Sequence, residues 1–433
     1  MDVRAPQTAA PQPPFRVRLE LAKDVVMSDS SVEQPLRGVR VLAIEQMQAM
    51  PFGTQLLARM GADVVKVEHP TSGESGRAAA PSIIDVDESR VGATFLRNNL
   101  CKKSIAVDLK HPKGVELIRQ LVPSYDVVTE NFKPGTMERL GLGYETLRDL
   151  HPQLVYASVS GFGSLRETPY GSWPAYACVA EAMAGFYSFR PEPGRKPNIG
   201  VAGAIGDIGT ALFCVVGMLA ALRSRDRTGR GQKVDVSMLD AIISIMDMTV
   251  FGPSIGITDQ SVSAWPGVVS AFAASDGLFV VQVGREPQFE RLARTIGHPE
   301  WLEDPRLATR EGWSRHQEPI LRPAIEAWAA DKGKLEASRI LAEQGVPAGP
   351  SYEGEELRND PHVKAHEMVV DVPGPPGEGP VRVHGNPIKF SDIPEGPVER
   401  WPLLGAHTEE VLRRDLKLSD GDFESLKSEG VIR

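Results

Sequence analysis

Apolar positions follow two rhythms along the first half of the chain. Val39-Arg-Val-Leu-Ala-Ile44 is a short apolar run with β-branched residues, which predicts a buried strand. Pro51 suits the first position of a helix that continues over Thr54 to Met60, and Gly61 closes it. Residues 63–67 predict the next strand, so the segment forms a strand–helix–strand unit. The alternation continues with a predicted strand over 104–109, a helix over 112–121, a strand over 126–130, a helix over 144–150 and a strand over 154–160. Two longer helices are predicted at 207–223 and 238–250, with a strand at 232–236 between them. Strands alternating with helices predict an α/β fold whose parallel sheet is covered on both faces.

The texture changes near Gly252. A stretch bearing Gly, Ser and Pro runs to Ser275, then a strand near 278–283 and helices at 287–296, 318–330 and 335–343 predict a smaller α+β domain. Residues 371–404 are rich in Pro and Gly and read as a long connection back to the first domain, with 372–380 a solvated loop. The tail gives two amphipathic helices, 407–416 and 420–429, with Ser419 as a helix cap. The expected division is a disordered extension over 1–35, a large domain over 36–252, a linker and small domain over 253–384, and a returning segment over 385–433 that completes the large domain. Met27 is a candidate start, since the regular pattern begins only near Leu36.

Composition narrows the class. A chain of 433 residues fits two or three domains. The net charge of −9 disfavours a dedicated nucleic-acid binder. Three scattered cysteines, Cys101, Cys178 and Cys214, make neither a disulfide framework nor a cysteine zinc site, and point to a reduced, cytoplasmic setting. The most apolar stretch, Ala211 to Leu222, falls short of a membrane span, and the N-terminus has no apolar signal core.

Few common signatures are present. The first strand–helix turn, Glu45-Gln-Met-Gln-Ala-Met-Pro-Phe-Gly53, lacks the glycine pattern that admits a dinucleotide pyrophosphate, so a nicotinamide dehydrogenase is disfavoured. His362 and His366 stand four apart but read as an exposed pair, and no metal is expected. Glu130-Asn-Phe-Lys-Pro-Gly135 follows a strand directly, at the sheet edge where open α/β sheets bind ligands; on local grounds a plain turn around Pro134-Gly135 is the stronger explanation. Gly203-Ala-Ile-Gly-Asp-Ile-Gly209 sets Asp207 among small residues at the entry to an apolar helix. That suits a bulky substrate, but aspartate also favours helix starts for capping and dipole reasons.

The ordered set of segments resembles a known family. Gly61-Ala-Asp-Val-Val-Lys-Val-Glu68, Lys102-Lys-Ser-Ile-Ala-Val-Asp-Leu-Lys110, Glu130-Asn-Phe-Lys-Pro-Gly135, Gly206-Asp207, Thr228-Gly-Arg-Gly-Gln-Lys-Val-Asp-Val-Ser-Met-Leu-Asp240 and Leu404-Gly-Ala-His-Thr-Glu-Glu-Val-Leu412 are similar to family III CoA-transferases, relatives of formyl-CoA and carnitine CoA-transferases. The resemblance covers nearly everything from 36 to 433. It implies a Rossmann-like large domain and a small domain in an interlocked homodimer, an acyl-CoA donor and a carboxylate acceptor as partners, and CoA thioester as substrate with no permanently bound cofactor. It places the catalytic nucleophile on Asp207, the active-site glutamine on Gln48 and the active-site tyrosine on Tyr176. It assigns CoA contacts to Lys110, Asn131, Phe132 and Arg139. His69 stands where formyl-CoA transferase has a basic nucleotide contact, and the glycine-rich lid of that enzyme is not evident in 252–275.

Two rivals share the fold. An α-methylacyl-CoA racemase needs an acid and a base flanking an acidic carbon. The racemase branch places a histidine where this chain has Tyr176, and a phenol is a poor proton-transfer partner at neutral pH. A silent subunit of a hetero-oligomer would need no aspartate at 207.

Overall fold

The computed structural model describes residues 33–171, 173–187, 204–246, 251–256, 266–375, 379–393, 395 and 398–433. The expectations for the N-terminal extension up to residue 32, for 257–265 of the lid region and for Gly203 therefore fall outside the described residues.

Six parallel strands form the central sheet: β1 (Arg40–Ile44), β2 (Asp63–Glu68), β5 (Lys103–Ala106), β6 (Val127–Glu130), β7 (Val155–Ser160) and β8 (Lys233–Ser237). Between β2 and β5 lies a small antiparallel hairpin, β3 (Ser82–Ile84) and β4 (Arg90–Gly92). The sheet order is β5-β2-β1-β6-β7-β8. Counted as main strands, this is the Rossmann order, with chain direction across the sheet reversing between β1 and β6. Ligands of such sheets bind outside the carboxyl ends of the strands at that reversal.

Two apolar layers cover the sheet. On one face Leu42, Val65, Ile105, Val128 and Tyr156 pack against residues of Pro112–Leu121 and Tyr144–Leu150. The same layer takes Val411 and Leu412 of Thr408–Leu416, and Phe423 and Leu426 of Asp420–Ser428. The chain end closes on this layer, where Val107 bridges Ile432 antiparallel and the Asp108 N–H donates to the Val431 carbonyl at 2.9 Å. On the other face Val41, Ala43, Val127, Val155 and Ala157 meet Leu57 of α1 (Ala49–Arg59) and Cys214, Val215 and Met218 of the helix Ile205–Thr228.

That 24-residue helix is longer than the apolar stretch read from sequence, and is long and apolar enough to cross a membrane by length and composition. Half of its apolar window is buried, and Arg225 near its end pairs with Asp126 at 2.6 Å. It behaves here as a core helix.

A second core gathers Phe272, Phe279, Phe289, Trp301, Trp313 and Leu341 around the three-stranded antiparallel sheet of β9 (Val268–Ala274), β10 (Gly277–Val283) and β11 (Ala348–Pro350). The first strand of this domain was expected near 278–283; β9 precedes it, in the last part of the Gly-, Ser- and Pro-bearing stretch. The expected connection over 371–404 also holds structure. β12 (Val369–Val372) pairs with β13 (Val381–His384), and Val372, Val383 and Trp401 form a small core with Phe95 and Leu100. Alternating valines and a buried tryptophan outweigh the Pro and Gly content there.

Smaller corrections concern boundaries. α1 starts at Ala49, so Pro51 is its third residue, still within the first turn whose N–H groups lack helical partners. The helix from Met238 ends at Ile245, and 247–250 lie outside the described residues. Ser419 accepts from the Asp422 N–H at 3.2 Å and caps its helix.

Candidate active site

Each strand of the sheet delivers its following loop to the carboxyl edge, and the helices that return begin there. Glu45, the first residue after β1, is fully buried. Its carboxylate meets Lys102 Nζ at 2.9 Å and Thr54 Oγ1 at 2.7 Å, and Lys66 Nζ donates to its carbonyl at 3.0 Å. Burial alone would raise the Glu45 carboxyl, but the two lysines outweigh it and hold the group below its ordinary value. Burial in turn brings Lys102 down to about 8. The ion-paired floor fixes the turn above it, since Lys102 also donates to the Pro51 carbonyl at 2.9 Å.

Asn131 follows β6 and ties the two sides of the strand reversal together. Its Oδ1 accepts from the Gln46 N–H at 2.9 Å, and its Nδ2 donates to the Gln46 carbonyl at 2.8 Å. Both ends of the amide are thus engaged in shaping the crevice. Phe132 is half-buried against the first apolar layer. Burial pushes the preceding Glu130 up to about 7, against the pull of the Ser158 hydroxyl and the Phe132 N–H that donate to it.

Gln48 caps the N-terminal end of α1 by position, although its side chain makes no cap bond. Its Oε1 instead accepts from the Arg97 guanidinium, and its Nε2 is buried without a hydrogen-bond partner among the described residues. A buried amide donor without a partner costs about 1–3 kcal/mol, so this N–H is poised for an acceptor that arrives with a ligand.

Asp207 sits in the first turn of the helix Ile205–Thr228. The helix packs along α1: a Cβ on Gly53 would meet Val215 Cγ2 at 3.3 Å and Ala211 Cβ at 3.7 Å. Both helices return between parallel strands, so they run in the same direction. Gln48 precedes Gly53 by five residues and Asp207 precedes Ala211 by four, so each stands about 6–8 Å along its helix from that contact. Gln48 and Asp207 thus occupy the same end of the helix pair. Behind Asp207, buried Glu181 accepts from the Gly206 N–H at 2.8 Å and from the Tyr187 hydroxyl. Burial, with the Glu181 charge adding to it, pushes the Asp207 carboxyl up to about 6, while the Arg97 guanidinium pulls it down.

The remaining expected contacts stand farther apart. Tyr176 immediately precedes the helix Ala177–Met183, and its side chain is 73 % exposed. Its neighbour Ala177 lies against Gly206, where an added Cβ would be 3.0 Å from the Ala177 Cα. His69 follows β2 and accepts from the Thr71 N–H at 3.2 Å in an exposed turn. Lys110 was expected at the end of its strand; β5 ends at Ala106, and Lys110 is exposed in the turn before the next helix. Arg139 is exposed and donates to Thr136 Oγ1 at 3.0 Å. All these positions share the carboxyl edge. Gln48 and Asn131 are the two whose side chains reach across to another segment and tie the crevice walls together.

Sequence reasoning missed Arg97 and Glu181. Arg97 belongs to α2 (Ala93–Asn98), a six-residue helix too short to show a period. Phe95, Leu96 and Leu100 were the available signal, an apolar cluster flanking a single arginine. Glu181 stands in a helix only seven residues long. His362 and His366 do stack, at 4.0 Å between ring centroids, with both side chains exposed.

Comparison with known proteins agrees with this architecture. The model of "CoA-transferase family III" matches residues 36–408. A formyl-CoA:oxalate CoA-transferase of Streptomyces avermitilis is 36% identical over 422 residues, covering 92% of this chain and 99% of its own. A succinyl-CoA–D-citramalate CoA-transferase of Chloroflexus aurantiacus is 34% identical, covering 94% of this chain and 100% of its own. The crystal structure of a CaiB/BaiF family protein from Brucella suis superimposes with a TM-score of 0.77 at 32% identity, covering 88% of this chain and 99% of that one. A parallel sheet in Rossmann order, a carboxylate at a helix start on its carboxyl edge and matches spanning nearly the whole of each relative lead to one conclusion: the chain belongs to CoA-transferase family III.

Proposed function

We propose that the protein moves CoA from an acyl-CoA donor to a carboxylic acid acceptor, with Asp207 as nucleophile. The observation that carries this reading is the half-buried Asp207 carboxylate at the same helix-pair end as Gln48 Nε2, which has no partner among the described residues. The Asp207 carboxylate attacks the thioester carbonyl and expels CoA thiolate, leaving a mixed anhydride. The thiolate attacks the aspartyl carbonyl, releases the donor acid as its carboxylate and leaves an aspartyl-CoA thioester. The acceptor carboxylate attacks that thioester and again expels the thiolate, which then attacks the acceptor carbonyl. Acceptor-CoA leaves and the Asp207 carboxylate is restored. Covalent catalysis divides one difficult transfer into easier ones, and Gln48 Nε2 is the donor available to the oxyanion that forms at each stage. Lys110 and His69, in turns after their strands, and Arg139, at the end of the short helix Thr136–Arg139, are read as contacts to the CoA nucleotide, with Asn131 and Phe132 lining its path. Tyr176 is read as the active-site tyrosine that the resemblance implies.

The matched relatives are named for oxalate and D-citramalate, both dicarboxylic acids, and a dicarboxylate is the acceptor class proposed here. A homodimer is part of the same reading. Leu212, Phe213 and Val216 on the Asp207 helix, with Ile243, Ile245, Phe251 and Ile255, are exposed large apolar side chains, and a second copy would cover them. The two apolar cores are read as a large and a small domain. The test is turnover by the purified chain over a panel of acyl-CoA donors and acids, with sedimentation of the same sample. The expected result is new acyl-CoA formed by a species of twice the chain mass, and none by Asp207→Asn. Deuterium exchange at the α-carbon of a 2-methylacyl-CoA without transfer would instead make it a racemase. Full activity in a monomer would contradict the dimer.

A further inference from the structure

We propose that Arg97 selects the acceptor: its guanidinium pairs with the second, unreacting carboxylate of a dicarboxylic acid while the first carboxylate attacks the thioester carbonyl carbon of the CoA-loaded Asp207. The proposal deepens the transferase reading and rests on it.

The backbone of Arg97 is held from below. Gln55 of α1 is buried, donates its Nε2 to the Arg97 carbonyl at 2.9 Å and accepts from the Leu100 N–H at 2.7 Å. One amide thus clamps both ends of the turn that carries Arg97. The side chain itself is exposed, and one terminal nitrogen donates to Gln48 Oε1. A guanidinium has five N–H donors in a rigid fork, so most of its donor capacity stays open. Among the described residues no carboxylate pairs with Arg97, whereas Arg40, Arg77, Arg225 and Arg414 each have one.

A cation at this place would favour the approach of an anionic acceptor. The chemistry brings one carboxylate against the site of another, and Glu181 stands behind Asp207 with a further carboxylate. Among the described residues the Glu181 charge raises the Asp207 carboxyl and the Arg97 guanidinium lowers it, so Arg97 is placed to offset part of an arriving anion's charge. It is positioned by Gln48, at the same helix-pair end as Asp207. An acceptor with a second carboxylate completes the fork in bidentate fashion. A monocarboxylic acid of the same length leaves the open N–H groups of the fork without that pairing, and a site built for a polar group disfavours an analogue that lacks it.

Arg97 also orients the Gln48 amide, and loss of that contact would slow transfer to every acid alike. The ratio between acceptors isolates the anchoring role. The experiment loads wild type, Arg97→Met and Arg97→Lys with whichever acyl-CoA gives an adduct on Asp207, then measures kcat/KM for four length-matched pairs: oxalate and acetate, malonate and propionate, succinate and butyrate, glutarate and valerate. Wild type is expected to prefer the dicarboxylate of at least one pair. Arg97→Met should lose about 10- to 100-fold of that preference, the loss of one charge-assisted pair, and Arg97→Lys should restore part of it. An unchanged ratio in Arg97→Met, or a wild type that prefers monocarboxylates, overturns the proposal and leaves the transferase reading intact. A wild type that forms no adduct and transfers to none of the acids overturns both.

Discussion

A nucleophilic carboxylate must shed water to attack, yet burial disfavours the charge that makes it a nucleophile. At Asp207 the conflict is resolved only in part: burial and Glu181 raise the carboxyl from 3.8 to about 6, and Arg97 limits the rise. The free enzyme should therefore gain kcat/KM as pH rises through about 6 and hold a plateau above it. The same shift bears on folding. The unfolded chain loses the Asp207 proton near its ordinary value, while the folded chain keeps it until about 6. Stability accordingly falls between those two values and stays lower above them, at a cost on the order of 2–3 kcal/mol. Asp207→Asn removes the charge, so it should be more stable than wild type at about pH 7.5 by about 1–2 kcal/mol, with the advantage fading below about pH 4. Urea melts at the two pH values check this; a variant less stable at the higher pH, or equally favoured at both, contradicts the burial account. Asp207 was singled out by the family resemblance; the small residues around it at the entry to an apolar helix fit a capping role as well. Its partners Glu181 and Arg97 were not, since neither lies in a motif and both act through space.

Helix packing sets the site's dimensions. Gly206 lets the Asp207 helix approach Ala177–Met183: a Cβ there would stand 3.0 Å from the Ala177 Cα and 3.1 Å from its carbonyl oxygen. Neither atom can swing aside. Gly206→Val should cost about 1–3 kcal/mol and lower turnover more than about tenfold, because the shift carries Asp207 with it. Thermal melts paired with kcat measure both, and a variant with wild-type kcat would separate the packing from the chemistry. Elements with a sustained period were legible: Pro112–Leu121 and Tyr144–Leu150 stand where the apolar spacing put them. Short or hairpin-bound elements were not. β3, β4 and α2 span three, three and six residues, too few to show a rhythm, and they are held by contacts from distant segments such as the Trp401 indole and Arg400, which both reach Asp85.

At the scale of the molecule, the strand order decides where chemistry can occur. The reversal between β1 and β6 opens the crevice, the buried Glu45 and Lys102 pair supports its floor, and Asn131 laces its rim. The parallel sheet was legible because strands and helices alternate; the order of the strands was not, since pairing partners far apart in sequence leave no local trace. Asp207 as a covalent nucleophile is the claim on which the rest depends. Intact-mass spectrometry after mixing the protein with a panel of acyl-CoAs tests it most directly. The account predicts a CoA-sized adduct on wild type, absent from Asp207→Ala, that hydroxylamine converts to a hydroxamate at Asp207. An adduct that persists in Asp207→Ala, or transfer of CoA with no adduct at any donor, would contradict it.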